Sequence, residues 1–163
     1  MRWLIDAHNL MHVLGVMKKH ASLESSRATF LEWLADGIAA RDHSLLVVFD
    51  AKSRSGKSHR EQHRGIEVVF STGETADDWI ETYLTRERKP GTLCVVSNDN
   101  RVIEAGRRRG CQLSDCEGFI DVVLAGRYRK PKAAGSVEVP VAKPALTHDG
   151  DDWLKVFGSQ AKR

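Results

Sequence analysis

Several features that would assign a protein to a class at once are missing from this sequence of 163 residues. No stretch approaches the ~18 consecutive apolar residues of a membrane-spanning helix, so we expect no membrane segment. Met1 is followed directly by a strand-like run, so we expect no signal peptide. The three cysteines lack the C-x-x-C spacing of a zinc or redox site, which favours a reduced, cytoplasmic setting.

Neither the net charge nor two segments that resemble known motifs identify a function. The 25 Lys and Arg residues against 22 Asp and Glu residues give a net charge of +3, which does not identify a partner. The segment Gly56–Ser58 reads GKS, but Ala51 stands where a P-loop needs its first glycine. His59 and His63 are four residues apart, but Glu61 is not at the position that H-E-x-x-H requires.

The order of apolar runs predicts an α/β domain. Strands are predicted at residues 2–5, 45–49, 66–70, 92–96 and 111–113. Helices are predicted from about residue 22, after residue 75, at 100–109 and at 115–125. Residues 7–21 are predicted to be an irregular link that could include a helical turn. This order predicts a mostly parallel central sheet with helices on both faces.

Capping signals and a change of composition mark the helix ends and the domain boundary. Thr75 and Asp78 approximate a capping box, Ser114 with Glu117 forms an S-x-x-E box, and Gly126 is expected to end the last helix. The folded domain is therefore predicted to span 1–126. Residues 127–163 form a basic Pro/Ala/Lys linker and an amphipathic tail that either docks on the domain or binds a partner.

Three predicted strands each end in an aspartate, namely Asp6, Asp50 and Asp99. Because ligands of open α/β sheets bind beyond the carboxyl ends of parallel strands, these carboxylates are predicted to meet at one edge. Asp77, at the start of a predicted helix, borders its buried face and is expected to join them. The cluster predicts a site for a hard divalent cation such as Mg²⁺. The alternative is that each aspartate merely caps a turn or helix.

Other polar residues are predicted near this edge. Asn9 and Ser97 are placed to orient a water or a phosphate, or else to make local turn hydrogen bonds. Glu74 and Glu81 flank Asp77 in sequence and are candidates for supporting or substrate contacts, whereas Asp78 is expected to act as a capping residue.

A basic segment follows the second strand. It is predicted to be an exposed loop over residues 52–64, with its positive charge on Lys52, Arg54, Lys57, Arg60 and Arg64. Such residues bind the phosphates of nucleic acids, although a solvated loop without a ligand is the alternative. An acidic metal pocket beside a basic surface is the arrangement expected of a metal-dependent nuclease.

Four segments resemble the YacP-like branch of the NYN domains, a PIN-like nuclease group. They read IDAHN, LLVVFDA, GIEVVFSTGETADDWIE and VVSNDNRV, and the resemblance extends over roughly residues 2–125. Members of that family usually read D-G-Y-N where this chain has Asp6-Ala7-His8-Asn9. The acid and the asparagine therefore agree with the family, whereas His8 replaces the aromatic residue.

The resemblance implies a PIN-like three-layer sandwich and a specific activity. It implies an endoribonuclease that holds Mg²⁺ or Mn²⁺ with Asp6, Asp77 and Asp99 and leaves 5′-phosphate ends on RNA. It also implies mRNA as the substrate and the ribosome as a partner.

Three functions are compatible with these observations. The leading hypothesis is a metal-dependent endoribonuclease. The second is an RNA- or ribosome-binding module without catalysis, which the basic loop and the apolar tail at Trp153–Phe157 would serve. The third is a metal-dependent phosphatase that acts on a small phosphate ester.

Overall fold

The computed structural model describes residues 1–17, 22–38, 43–51 and 58–128. The strands are β1 (Arg2–Asp6), β2 (Ser44–Asp50), β3 (His59–His63), β4 (Ile66–Ser71), β5 (Leu93–Val96) and β6 (Gln112–Ser114). The helices are α1 (Ala7–Val13), α2 (Leu23–Ile38), α3 (Ala76–Arg86), α4 (Asn100–Arg109) and α5 (Cys116–Tyr128), with a 3-10 turn at Pro90–Thr92.

The six strands form one sheet in the order β3-β4-β2-β1-β5-β6. Neighbouring strands are parallel except for β3 and β4, which are antiparallel. The chain moves outward from β1 through β2 to β4, then crosses back to place β5 on the other side of β1. The prediction of a mostly parallel sheet is confirmed, and the strand order reverses between β1 and β5.

Side chains of the central strands alternate between two hydrophobic cores. Trp3 and Ile5 of β1 point into a core shared with α1, α2 and α5. Leu4, between them, points into a second core shared with α3 and α4. A strand that is covered on both faces must be apolar at every position, which explains the unbroken apolar runs in the sequence. The predicted three-layer arrangement is confirmed.

The first part of the predicted link over residues 7–21 is a helix of seven residues, longer than the single helical turn that the prediction allowed. Ala7–Val13 form α1, which begins without a loop because Asp6 is both the last residue of β1 and the N-cap of the helix. Leu10 and Met11 are buried in the core. This tertiary packing stabilises a helix that would be too short to persist alone.

The predicted exposed loop over residues 52–64 is wrong for its last part. His59–His63 form the edge strand β3, which a two-residue turn at Arg64 and Gly65 joins to β4. Both turn residues have positive φ, 47° and 85°, as a type I′ hairpin turn requires. Because β3 is exposed along most of its length, it carries no apolar alternation that would identify it in the sequence.

The two ends of α5 also differ from the prediction. The Gly118 N–H donates to Asp115 Oδ1 at 2.7 Å, so Asp115 rather than Ser114 caps the first turn. The helix continues past Gly126 to Tyr128. A single internal glycine costs a helix only about 1 kcal/mol, which is too little to end one by itself.

Several predictions concern residues beyond this structure. Lys52, Arg54 and Lys57 lie outside the described residues, as does the tail from residue 129 onward. The division into segments 1–126 and 127–163 therefore stays a prediction. Among the helices that are described, none combines the length and the apolarity needed to cross a membrane.

A glycine allows α2 and α5 to pack closely. A Cβ atom at Gly37 would overlap the Cγ1 atom of Val123 and lie 3.2 Å from the Val123 carbonyl oxygen. Val123 is fully buried, so its side chain has no room to move away. The α2–α5 contact therefore requires a residue without a side chain at position 37.

We expect Gly37→Ala to lower the free energy of unfolding by about 1–3 kcal/mol, as overpacked cores do. The overlap outweighs the helix preference of alanine over glycine, which is about 1 kcal/mol. Urea unfolding measures the change. Gly91→Ala is the control, because a Cβ there has no neighbour within 4 Å. Equal stability of the two variants would contradict this account of the helix packing.

Candidate metal centre

The point where the strand order reverses lies between the carboxyl ends of β1 and β5. Open α/β sheets bind their ligands at such a point because the helices that follow the two strands diverge there. Asp6 is the last residue of β1, and Ser97 and Asp99 follow β5 directly. The structure thus brings two of the predicted acids to the two sides of one crevice.

Asp6 is buried, with 2% of its surface exposed, and three donors hold its carboxylate. The Asn9 backbone N–H donates to Oδ1 at 3.3 Å, and the Asn9 side-chain Nδ2 donates to Oδ2 at 2.6 Å. The Ser97 hydroxyl donates to the same Oδ2 at 2.9 Å. A carboxylate offers about four acceptor positions, so these donors fix its orientation without using all of them.

Asp99 is linked to Asp6 through Ser97. The Asp99 backbone N–H donates to Ser97 Oγ at 3.0 Å, and that hydroxyl in turn donates to Asp6. Asp99 is also the N-cap of α4, where its Oδ1 accepts a hydrogen bond from the Arg101 N–H at 2.7 Å. Asp6 and Asp99 each cap a helix at the crevice, which is the role that the alternative interpretation gave to the aspartates.

Asp77 is half-buried in the first turn of α3. Thr75 caps this helix by accepting a hydrogen bond from the Asp78 N–H at 3.1 Å, as predicted. Burial raises the pKa of Asp77, and the negative charges of Asp6 and Asp99 raise it further. Asp77 thus lies close enough to Asp6 and to Asp99 for both charges to act on it.

Arg101 is a residue of the site that the sequence analysis missed. Its Nη2 donates to Asp78 Oδ1 at 2.5 Å and its Nε donates to Glu81 Oε1 at 2.7 Å, which ties α4 to α3. Its positive charge partly offsets the rise in the pKa of Asp77. One feature of the sequence could have identified Arg101 as a site residue. It lies two residues after Asp99, in the first turn of a helix that starts at the crevice.

Three other predicted residues lie farther from this centre or have different contacts. Asp50 ends β2 two residues beyond Val48, the residue that pairs with Asp6. Glu81 is bound by Arg101, and Glu74 accepts a hydrogen bond from Ser58 Oγ at 3.4 Å.

The two arginines of the predicted basic loop that the structure describes lie on opposite faces of the sheet. Arg60 pairs with Glu67 and lies over the ring of Trp79, a residue of α3. Arg64 pairs with Glu32 at 2.5 Å and with Asp36 at 2.9 Å, both on α2. Helices α2 and α3 cover different faces, so Arg60 and Arg64 do not form one surface.

The donor set suits a hard divalent cation. Carboxylate and hydroxyl oxygens are the ligands that Mg²⁺ prefers, and Asp6, Asp77 and Asp99 would supply them. Among the residues that the structure describes, no three His, Cys, Asp or Glu side chains close into a complete metal-binding group. Mg²⁺ does not require one, since it usually takes one or two carboxylates and fills its remaining positions with water and substrate phosphate.

A six-stranded, mostly parallel sheet between two helical layers, with acids at the switch point, defines a PIN-like fold. The fold matches crystal structures of Rae1 (YacP) from Bacillus subtilis, with 22% sequence identity and a TM-score of 0.64 for both the W164L mutant and the unmutated protein. The matches cover 78% and 79% of this chain, and 77% and 76% of those chains.

The sequence matches the family model described as the YacP-like NYN domain over residues 3–140. The chain therefore belongs to the YacP-like NYN domain family, which confirms the resemblance noted above. A search of curated proteins gives no significant match.

We expect Asp77→Asn to raise the melting temperature of the metal-free protein at neutral pH, because it removes a carboxylate whose pKa is raised by burial and by two like charges. The gain should be fully present above the raised pKa and vanish below the unperturbed value of 3.8, where the carboxyl is protonated in both folded and unfolded chains. Thermal melts across the acid range, in the presence of a chelator, measure the effect.

The same substitution at the next residue provides the control. The hydrogen bond from Arg101 lowers the pKa of Asp78, so Asp78→Asn should reduce stability above pH 3.8 and lose that effect as the pH falls through the lowered pKa. If both variants shift the melting temperature in the same direction at neutral pH, the proposed crowding of charge around Asp77 is wrong.

Proposed function

We propose that this protein is a metal-dependent endoribonuclease that hydrolyses RNA phosphodiesters at the crevice between β1 and β5. The single observation that carries the proposal is the position of Asp6 and Asp99 at the switch point of the sheet, where the Ser97 hydroxyl hydrogen-bonds to both residues. Membership of the YacP-like NYN family supports a nuclease fold.

The three acids and the residues that hold them have distinct proposed roles. Asp6, Asp77 and Asp99 would hold Mg²⁺ or Mn²⁺, with Asp50 as an outer contact. A bound divalent ion neutralises charge on the scissile phosphate and activates water for in-line displacement, which leaves a 5′-phosphate end. Ser97 and Asn9 keep Asp6 in one orientation through their hydrogen bonds, so a ligand meets a preorganised carboxylate.

The proposed substrate is RNA, and mRNA in particular, in the cytoplasm and in contact with the ribosome. The basic residues predicted to hold the RNA backbone are Lys52, Arg54, Lys57, Arg60 and Arg64, of which Arg60 is exposed beside α3. Glu74 and Glu81 would act indirectly, Glu81 by holding Arg101 near the acids.

A non-catalytic RNA- or ribosome-binding module is the second candidate. The observation that favours it is that Asp6 and Asp99 both act as helix N-caps, which is a structural role that needs no metal. Under this alternative, removal of the negative charge at either position would leave RNA binding unchanged.

We expect Asp6→Asn and Asp99→Asn to reduce Mn²⁺- or Mg²⁺-dependent cleavage of a long single-stranded RNA by about 100-fold or more, a loss of the size seen when key transition-state contacts are removed. Asparagine is as good an N-cap as aspartate, so both variants should keep their helices while losing a metal ligand. Gel analysis with mapping of the end groups, with and without ribosomes, measures the effect.

Asp121→Asn is the matched control, because it makes the same change at an exposed position of α5 away from the crevice. It should cut RNA at the wild-type rate. The proposal fails if wild type leaves RNA intact under all these conditions, or if it cuts and the two crevice variants cut equally well.

A further inference from the structure

An open groove of about 680 Å³ lies along the outer side of α3, away from the crevice acids. Its lining includes Trp79 and Tyr83 from one side of the helix, together with Arg60, Arg86 and Arg88. The two rings are stacked, with centroids 5.3 Å apart and an interplanar angle of 16°. Both rings are half-buried against the core, so they form a rigid aromatic wall with an accessible side.

Positive charge dominates the rim of this groove. Arg60, Arg86 and Arg88 are all exposed, and the Arg60 guanidinium lies 5.6 Å from the centroid of the Trp79 ring. Glu87 also lines the groove, but its carboxylate accepts hydrogen bonds from Arg2 at 2.7 and 3.1 Å. This ion pair offsets the negative charge of Glu87. Because Arg60 is itself paired with Glu67, the positive charge that neither pair offsets is on Arg86 and Arg88.

Helix α3 contributes both to the groove and to the candidate metal centre. Glu74, which precedes the helix, lines one end of the groove, and Arg88, which follows the helix, lines the other. The 11 residues of α3, which lies between them, span about 16 Å at the usual rise of an α-helix. Asp77 lies in the first turn of the same helix, so a ligand in the groove extends toward the acids.

We propose that this groove binds an unpaired segment of RNA next to the cleavage point, with bases against the Trp79–Tyr83 wall and phosphates on Arg60, Arg86 and Arg88. This inference rests on the proposed nuclease function and adds the path of the substrate and its single-stranded form. Aromatic rings that stack bases, flanked by arginines that bind the backbone, are the recurrent means of binding single-stranded nucleic acid.

The structure favours single strands over the other ligands that a basic groove attracts. A duplex buries its base faces in its own stack, so it gains from the arginines but not from the rings. An acidic protein segment would likewise use the charges and leave the stacked rings without a matching partner. The combination of rings and cations in one groove therefore points to unpaired bases.

The test measures the affinity of the full chain for a labelled single-stranded RNA of about 12 nucleotides, a length typical of single-strand binding sites. A chelator is present, so binding is read without cleavage. We expect Trp79→Leu to weaken binding about tenfold through lost stacking, while Trp79→Phe, which keeps a ring, retains most of it. The affinity of all these proteins for a duplex of the same length should change by less than about twofold.

The arginines have a separate readout in the salt dependence of binding. Arg86→Gln or Arg88→Gln should each weaken binding several-fold and reduce the slope of log K against log salt by about 0.7, the value for one phosphate contact to a single strand. Arg108→Gln is the matched control, because it removes one exposed positive charge of α4 that does not line the groove. It should leave the slope unchanged.

The outcomes separate this inference from the proposed function. If the groove variants bind single-stranded RNA as tightly as wild type does, the inference is overturned. This is the result expected of a groove whose ligand is a protein segment. Equal losses of single-strand and duplex binding in Trp79→Leu would also overturn it, since the ring would then play no part in selecting unpaired bases. If binding depends on the groove but cleavage does not depend on Asp6, the RNA path stands and the proposed nuclease activity fails.

Discussion

Electrostatic repulsion of the Asp77 carboxylate by Asp6 and Asp99 is the constraint on which the rest of the site depends. The fold partly offsets it with three helix N-termini, since Asp6 caps α1, Asp99 caps α4 and Asp77 lies in the first turn of α3. The positive end of a helix dipole stabilises a nearby carboxylate by roughly 0.3–1 kcal/mol at an exposed site. The remaining repulsion is visible in the raised pKa of Asp77, and a divalent cation would relieve it.

The two roles of the acids, as helix caps and as metal ligands, are compatible. Capping fixes the side-chain rotamer, and the Ser97 hydroxyl joins Asp6 to the backbone of Asp99 through two hydrogen bonds. A carboxylate that is already oriented loses little conformational entropy when it binds an ion. Arg101 adds a balancing charge, and its ion pairs with Asp78 and Glu81 hold its guanidinium on α3.

The strand ends were predictable because buried parallel strands leave unbroken apolar runs, and an aspartate that ends such a run lies at the ligand edge. The same logic placed Asp6, Asp99 and the half-buried Asp77 in one region. Two elements next to these strands were not predicted. Helix α1 was missed because a strand passes into it at one shared residue, Asp6, and β3 because an exposed edge strand needs no apolar alternation.

Contacts between distant segments were beyond sequence reasoning. Arg101 reaches Asp78 and Glu81 only because α3 and α4 pack side by side on one face of the sheet. The arginines of one basic segment were expected to act together, yet the turn after β3 directs Arg64 toward α2 while Arg60 lies over Trp79 of α3. Because β3 was not predicted as a strand, the spacing of its arginines could not show which side of the sheet each one faces.

The most direct test of the metal centre is a crystal structure of the protein grown with Mn²⁺, read from the anomalous scattering of the ion. The account predicts a peak at the carboxyl ends of β1 and β5, in direct contact with a carboxylate oxygen of Asp6, Asp77 or Asp99. An ion bound only elsewhere, or a crevice that stays free of Mn²⁺ when the ion is in excess, would contradict it.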